Sequence, residues 1–140
     1  MPMWCPRVID PQFRPQAVGS YSMAQRFTIL LHDYPYWHWD FLLEHGDHAL
    51  CWRLLRQPCC DEPIATEQLP PHRLLYLDYA GPVSHDRGTV TCIGSGTFEI
   101  MASEAVLSIH LNGLTWARHA ALFDVGQSRS FWRFGVIPQL

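Results

Sequence analysis

The run His32-Asp33-Tyr34-Pro35-Tyr36-Trp37-His38-Trp39-Asp40-Phe41 holds the residues best suited to chemistry. On an extended strand, residues two apart share a face and lie roughly 6.8 Å apart along it. His38 and Asp40 can therefore converge on one atom from the same side. His32 closes the preceding strand, and a five-residue connection can return it beside His38. Two imidazoles and a carboxylate suit a divalent first-row metal, and zinc, manganese and iron are all compatible with that donor set. His72 and Tyr76 form a second element. They share a face whether their segment is helical or extended, so an imidazole proton donor and a phenol hydrogen-bond donor can address one substrate. Plain alternatives stand beside these readings. Eight histidines in 140 residues will place some near one another by chance, and Tyr76 serves equally well as a core aromatic with a satisfied hydroxyl.

Other chemistries find little support. All ten cations are arginine, so a lysine adduct, and with it nucleotidyl transfer by a ligase, is excluded for this chain alone. A net charge of −3 also argues against a surface that coats DNA non-specifically, which needs many cations. Five cysteines (Cys5, Cys51, Cys59, Cys60, Cys92) make an odd number without a C-x-x-C pair. They read as reduced packing residues rather than a disulfide framework or a zinc knuckle. Gly94-Ser95-Gly96 lacks the lysine and following helix of a phosphate loop and reads as a turn between strands. No Gly-x-Ser-x-Gly elbow is present.

The elements that must position these residues are mostly strands. Phe27, Ile29 and Leu31 alternate with Thr28 and Leu30, and Tyr34-Pro35 breaks the pattern. Trp37, Trp39, Phe41 and Leu43 then face one way, into the core, and His38, Asp40 and Leu42 the other. Gly46-Asp47 turns the chain into a third strand, Ala49 to Leu55. Gln57 to Pro71, with four prolines, reads as a loop holding one helical turn at Ala65 to Leu69. Periodicity does not decide whether His72 to Leu77 is a strand or a short helix. After a turn at Gly81-Pro82 come strands at Gly88–Ile93, Gly96–Met101, Val106–Leu111, Thr115–Ala120 and Arg129–Val136, with Asn112-Gly113 a hairpin signal. Short strands at this spacing predict an antiparallel barrel or sandwich.

Residues 1–24, with Pro2, Pro6, Pro11 and Pro15, read as an irregular arm, and residues 25–140 as a single domain. The content is 48% hydrophobic and 16% charged, which supplies a core and argues against disorder. No apolar run approaches the roughly 18–20 residues of a membrane span. Met1 to Met23 lacks the basic-then-apolar order of a signal peptide, so the expected location is cytoplasmic.

At this point the chain resembles the N-terminal 3′-phosphoesterase domain of bacterial DNA ligase D and its stand-alone relatives. The first family motif begins His-Asp and resumes after four residues as His-aromatic-Asp-Phe-Arg-Leu-Glu. Here it is His32-Asp33, then His38-Trp39-Asp40-Phe41-Leu42-Leu43-Glu44. The second is matched by His72, Tyr76, Asp78, Tyr79 and Gly81, followed by Gly88-Thr89-Val90, Gly96-Thr97-Phe98 and Leu111 to Gly113. The likeness runs in order from about Arg26 to Phe134.

The resemblance implies a compact antiparallel β-barrel with one or two short helical segments. It implies a manganese-dependent DNA-repair hydrolase, zinc being the alternative metal, that removes a 3′-phosphate or 3′-ribonucleotide from nucleic acid. By resemblance His32, His38 and Asp40 would hold the metal, while His72 and Tyr76 would contact the scissile phosphate. A ligase or polymerase to which the family is often fused would here be a separate chain.

Two departures bear on this. The family's arginine two residues after the metal-binding aspartate is Leu42 here, and another, eight residues before the second histidine, falls on Ile64. An alkyl chain cannot replace a bidentate cation at a phosphate. Arg73 or Arg87 could substitute from another direction. The alternatives are a binding module of the same descent, which recognises a DNA end or a repair protein without turnover, and a structural domain with incidental histidines.

Overall fold

A computed structural model describes residues 24–102, 106–127 and 129–136. The expected N-terminal arm, apart from its last residue, lies outside them. Eight principal strands follow the alternation of apolar residues: β1 (Gln25–His32), β2 (His38–His45), β3 (His48–Leu54), β4 (Pro63–Arg73), β6 (Thr89–Ala102), β7 (Leu107–Asn112), β8 (His119–Gly126) and β9 (Arg129–Gly135). A two-residue strand, β5 (Gly81–Pro82), adds to the start of β6. The antiparallel order is β1-β2-β3-β4-β9-β8-β7-β6, and β6 pairs back onto β1 to close an eight-stranded barrel. The only helical piece among the described residues is a 3-10 turn at Leu74–Leu77. The fold is thus the mostly β barrel that the sequence leads one to expect.

The interior is filled by inward residues of every principal strand, among them Phe27, Phe41, Trp52, Ile64, Phe98 and Trp132. Phe41 meets Trp132 edge-on with centroids 4.9 Å apart, and Trp52 meets Trp132 at 5.3 Å, an arrangement aromatic quadrupoles favour. A second cluster lies on the outer face. Leu30, Leu42, Ala49, Cys51 and Val90 are covered there by Leu77, with Leu74, Tyr76, Tyr79 and Val83 packed alongside. β2 is consequently buried on both faces, and so can carry polar groups out of water just outside the barrel.

Several expected elements differ. Gln57 to Pro71 is not a loop with a helical turn at Ala65 to Leu69, because β4 occupies most of it. Proline is tolerated in a strand at its first residue, at a bulge or on an unpaired edge, and β4 uses these devices. Pro63 starts it. Pro70 and Pro71 fall where the pairing with β3 shifts register between Cys51↔Leu69 and Ala49↔His72. Of β4, Pro63–Thr66 alone pair with β9, which leaves Pro70 and Pro71 clear of that edge.

The two strands read at Gly88–Ile93 and Gly96–Met101 are one strand, β6. Gly94-Ser95-Gly96 is part of it rather than a turn, and the register shifts opposite Ile29/Leu30 instead. A Cβ at Gly96 would overlap the Asn112 carbonyl, so the glycine there serves close approach of two strands. Asn112-Gly113 opens a longer connection, and β8 starts at His119 rather than Thr115. Trp37 is not in the core: β2 begins after it, and the ring is 64% exposed.

Candidate functional site

The β1–β2 hairpin sets His32 directly opposite His38, with the ring centroids 4.9 Å apart. Asp40, two residues further along the same outer face, reaches both. His32 Nδ1 lies 3.6 Å from Asp40 Oδ2, and His38 Nε2 lies 3.1 Å from Oδ1. Candidate ligand atoms of the three residues all fall within 4.8 Å of one another. His72 does not complete this group. It forms a second one with Asp40 and Cys51, so Asp40 is shared between two overlapping sets.

Backbone carbonyls orient the imidazoles. His32 Nε2 donates to Arg87 O at 2.7 Å, His38 Nδ1 to Tyr36 O at 2.9 Å and His72 Nδ1 to Pro70 O at 3.1 Å. A carbonyl only accepts, so each of these nitrogens carries the proton. The neutral rings of His32 and His38 therefore turn lone pairs toward the Asp40 carboxylate. Metal-ligating histidines are held in this way, by a donated bond from the far nitrogen that fixes tautomer and ring angle.

His38 is 1% exposed and Asp40 3%. His38 Nε2 and Asp40 Oδ1, despite their proximity, have no hydrogen-bond partner of sound geometry. Two buried acceptors facing each other are costly unless a proton or a cation lies between them. Burial pushes the Asp40 carboxyl up. Interaction with the imidazoles of His32 and His38, and with the charge that His38 and His72 carry when protonated, outweighs it and holds the group at about 2. His32 is raised, chiefly by the Asp40 carboxylate 3.6 Å from its Nδ1, against the opposing effect of burial. An ionised carboxylate and two oriented imidazoles fit a divalent cation.

The loops around the triad are tied down by other residues of the resembling motifs. Asp33 accepts the Thr89 N–H at 2.7 Å. Gly88, at φ +79°, lies so close to Asp33 and Tyr34 that a side chain there would overlap both. Glu44 accepts from the Arg26 backbone N–H at 2.9 Å. Arg26 also reaches Asp78 at 2.8 Å, linking the barrel to the covering segment. Tyr79 donates its hydroxyl to the Pro82 carbonyl.

A cavity of about 520 Å³ opens over the triad. His72, Arg73 and Tyr76 line it from the end of β4 and the 3-10 turn, with the rings of His72 and Tyr76 5.9 Å apart. Arg87 lines another side, its guanidinium bonded to Ser84 O at 2.9 Å and Ser84 Oγ at 3.1 Å. All seven residues singled out in the sequence therefore border one cavity.

Sequence reasoning missed Arg53. It sits on β3 as the cross-strand partner of Asp40 and lines the same cavity. Its Nη1 donates to the Tyr36 hydroxyl at 3.1 Å and lies 3.6 Å from Glu67, while its Nε is buried without an acceptor. The signal was present. The Gly46-Asp47 turn sets His45 opposite His48, and counting back along both strands brings Arg53 opposite Asp40. Leu42 and Ile64, in the places of family arginines, lie elsewhere. Leu42 is packed in the outer apolar cluster and Ile64 in the barrel interior, both at 0% exposure.

Comparison of the chain with family models and with curated proteins finds no match.

Proposed function

We propose that this protein is a metal-dependent phosphoesterase acting on 3′ ends of nucleic acid, with manganese the expected metal and zinc the alternative. One observation carries the reading: a single cavity holds buried groups of opposite need. His38 Nε2 and Asp40 Oδ1 are acceptors without a donor, and Arg53 Nε is a donor without an acceptor. A cation beside an anion satisfies all three, and a metal-bound phosphate is that combination. The assignment to nucleic-acid 3′ ends rests on the motif resemblance at His32-Asp33, His38 to Glu44 and His72 to Gly81.

His32, His38 and Asp40 would hold the metal, which when bound polarises a phosphoryl oxygen and acidifies a water. The chain's own residues do the rest. Arg53 offers a planar fork for two phosphoryl oxygens, taking the part for which the family uses arginines at the places of Leu42 and Ile64. Arg73 and Arg87 add positive charge at the rim. His72, held by Pro70 through Nδ1, keeps Nε2 free, and in its protonated form can give a proton to the departing oxygen. The Tyr76 hydroxyl would hold the phosphoryl group in line. A 3′-hydroxyl released in this way would be used by a separate ligase or polymerase, in a cytoplasmic setting.

A second reading, an end-binding module without turnover, is favoured by one observation: Leu42 is packed under Leu77 and brings no charge to the cavity. Manganese-dependent release of phosphate from a primer–template carrying a 3′-phosphate decides between them, with His38→Ala and Arg53→Ala as controls. Release that both variants reduce at least 100-fold is the expected result. Metal binding without release would establish the module, and absence of metal binding would sink both readings.

A further inference from the structure

Three adjacent strands bring a second set of metal-ligating side chains to one spot on the outer face of the barrel. Arg53 of β3 is the direct partner of Asp40 on β2, and Cys51 is the partner of Leu42. Asp40 and Cys51 are therefore diagonal neighbours on one face, within reach of each other. β4 adds His72 through its bulge. Leu69 pairs with Cys51 and His72 with Ala49, so Pro70 and Pro71 together stand against Leu50 alone. In an unbroken ladder Pro71 would face Ala49 and His72 would point into the barrel. The extra residue turns the imidazole outward instead. Candidate ligand atoms of Asp40, Cys51 and His72 all lie within 4.8 Å of one another.

We propose that Asp40, Cys51 and His72 hold a second cation, of the thiophilic class that zinc represents, in a site that shares Asp40 with the first triad and stops the phosphoesterase when filled. The Asp40 side chain is 5% exposed, and its Oδ1 has no hydrogen-bond partner. Cys51 is wholly buried beneath it. His72 Nδ1 donates to the Pro70 carbonyl, which leaves the Nε2 lone pair for a metal, as in ligating histidines generally. Carboxylate, thiolate and imidazole all bind zinc at about 2.0–2.3 Å, so shifts on the order of 1 Å close the three around one ion. Binding exchanges the Cys51 thiol proton, released to water, for a metal–sulfur bond.

Sulfur sets the preference. A thiolate selects zinc and softer ions, whereas the sulfur-free triad of His32, His38 and Asp40 accepts manganese. No other cysteine enters a three-residue donor group among the described residues. A cation here occupies His72 Nε2, the atom that gives the departing oxygen its proton, and competes for the Asp40 carboxylate. Stopping the reaction in this way rests on the phosphoesterase reading; the cation site itself does not.

Cobalt(II), a coloured stand-in for zinc, tests the site on the full chain. Titration should produce a thiolate-to-cobalt charge-transfer band in the near ultraviolet. Cys51→Ala should abolish the band although four other cysteines remain. His72→Ala, at a half-buried position, should weaken the binding that produces it at least tenfold, and serves equally if Cys51→Ala fails to fold. His38→Ala, which damages only the first triad, should keep the band. No band in the parent, or one that Cys51→Ala or His72→Ala leaves unchanged, overturns the site. A band lost in His38→Ala puts the thiolate on the triad's own ion and overturns a separate site as well. Zinc should also inhibit manganese-dependent phosphate release, and Cys51→Ala, scored against its own rate in manganese, should need at least tenfold more zinc. Equal inhibition of the two proteins overturns the silencing role. A parent that shows the cobalt band but no release at all sinks the phosphoesterase reading and leaves the second site standing.

Discussion

At the scale of single residues, each position is decided by where the barrel puts it. His38, Asp40 and Leu42 share the outer face of β2, yet the first two open onto the cavity while Leu42 is sealed against Leu30, Cys51 and Leu77. An arginine at this position would bring an unpaired cation and extra volume into a packed apolar cluster. Leu42→Arg is therefore expected to lower stability by roughly 3–5 kcal/mol and to give no gain in phosphatase rate. Urea unfolding and 3′-phosphate release measure the two effects. A variant as stable as the parent and more active would show that position 42 faces the substrate. The type and spacing of His32, His38 and Asp40 were legible because alternation on a strand is a local rule. Arg53 was legible only through pairing, since its relation to Asp40 depends on the register of the β2–β3 hairpin.

At the scale of elements, the site depends on segments that read poorly. The prolines of β4 disguise it as a loop, although Pro70 and Pro71 sit at the register shift just before His72, and Pro70 supplies the carbonyl that holds that ring. The connection before β6 has the same character. His32 is oriented by the Arg87 carbonyl, and Asp33 is bonded to Thr89, so Gly88 sits between two contacts that aim one ligand. Its φ of +79° and the closeness of Asp33 and Tyr34 leave no room for a methyl group. Gly88→Ala should cost about 2 kcal/mol of stability and also weaken manganese binding several-fold. Calorimetric titration of the metal beside urea unfolding separates these effects. A loss of stability with unchanged metal affinity would show that the loop does not orient His32.

For the molecule as a whole, strand content and alternation were visible along the sequence. Closure of the barrel was not, because the β1–β6 pairing joins segments more than fifty residues apart and leaves no local trace. The candidate ligands share the local β1–β2 hairpin, but His32 is oriented by the Arg87 carbonyl ahead of β6, so cation binding and global stability should be linked. A ligand present at about 100 times its Kd stabilises the native state by about 2.7 kcal/mol, which at this size corresponds to a Tm rise on the order of 5–10 °C. The pH dependence has a definite sign. Without metal, Asp40 is held at about 2, below its ordinary 3.8, so its contribution is present above about pH 4 and is lost as pH falls toward 2. The raised His32 contributes fully below 6.5 and loses its contribution as pH rises through its folded value. A metal needs the neutral ring, so its increment should grow over the range in which His32 releases its proton. Melting curves at pH 6 and pH 8, with manganese or with a chelator, should diverge at the higher pH, and Asp40→Asn should remove the divergence. Identical curves in both conditions would mean that His32, His38 and Asp40 form an internal ion pair instead of a metal centre.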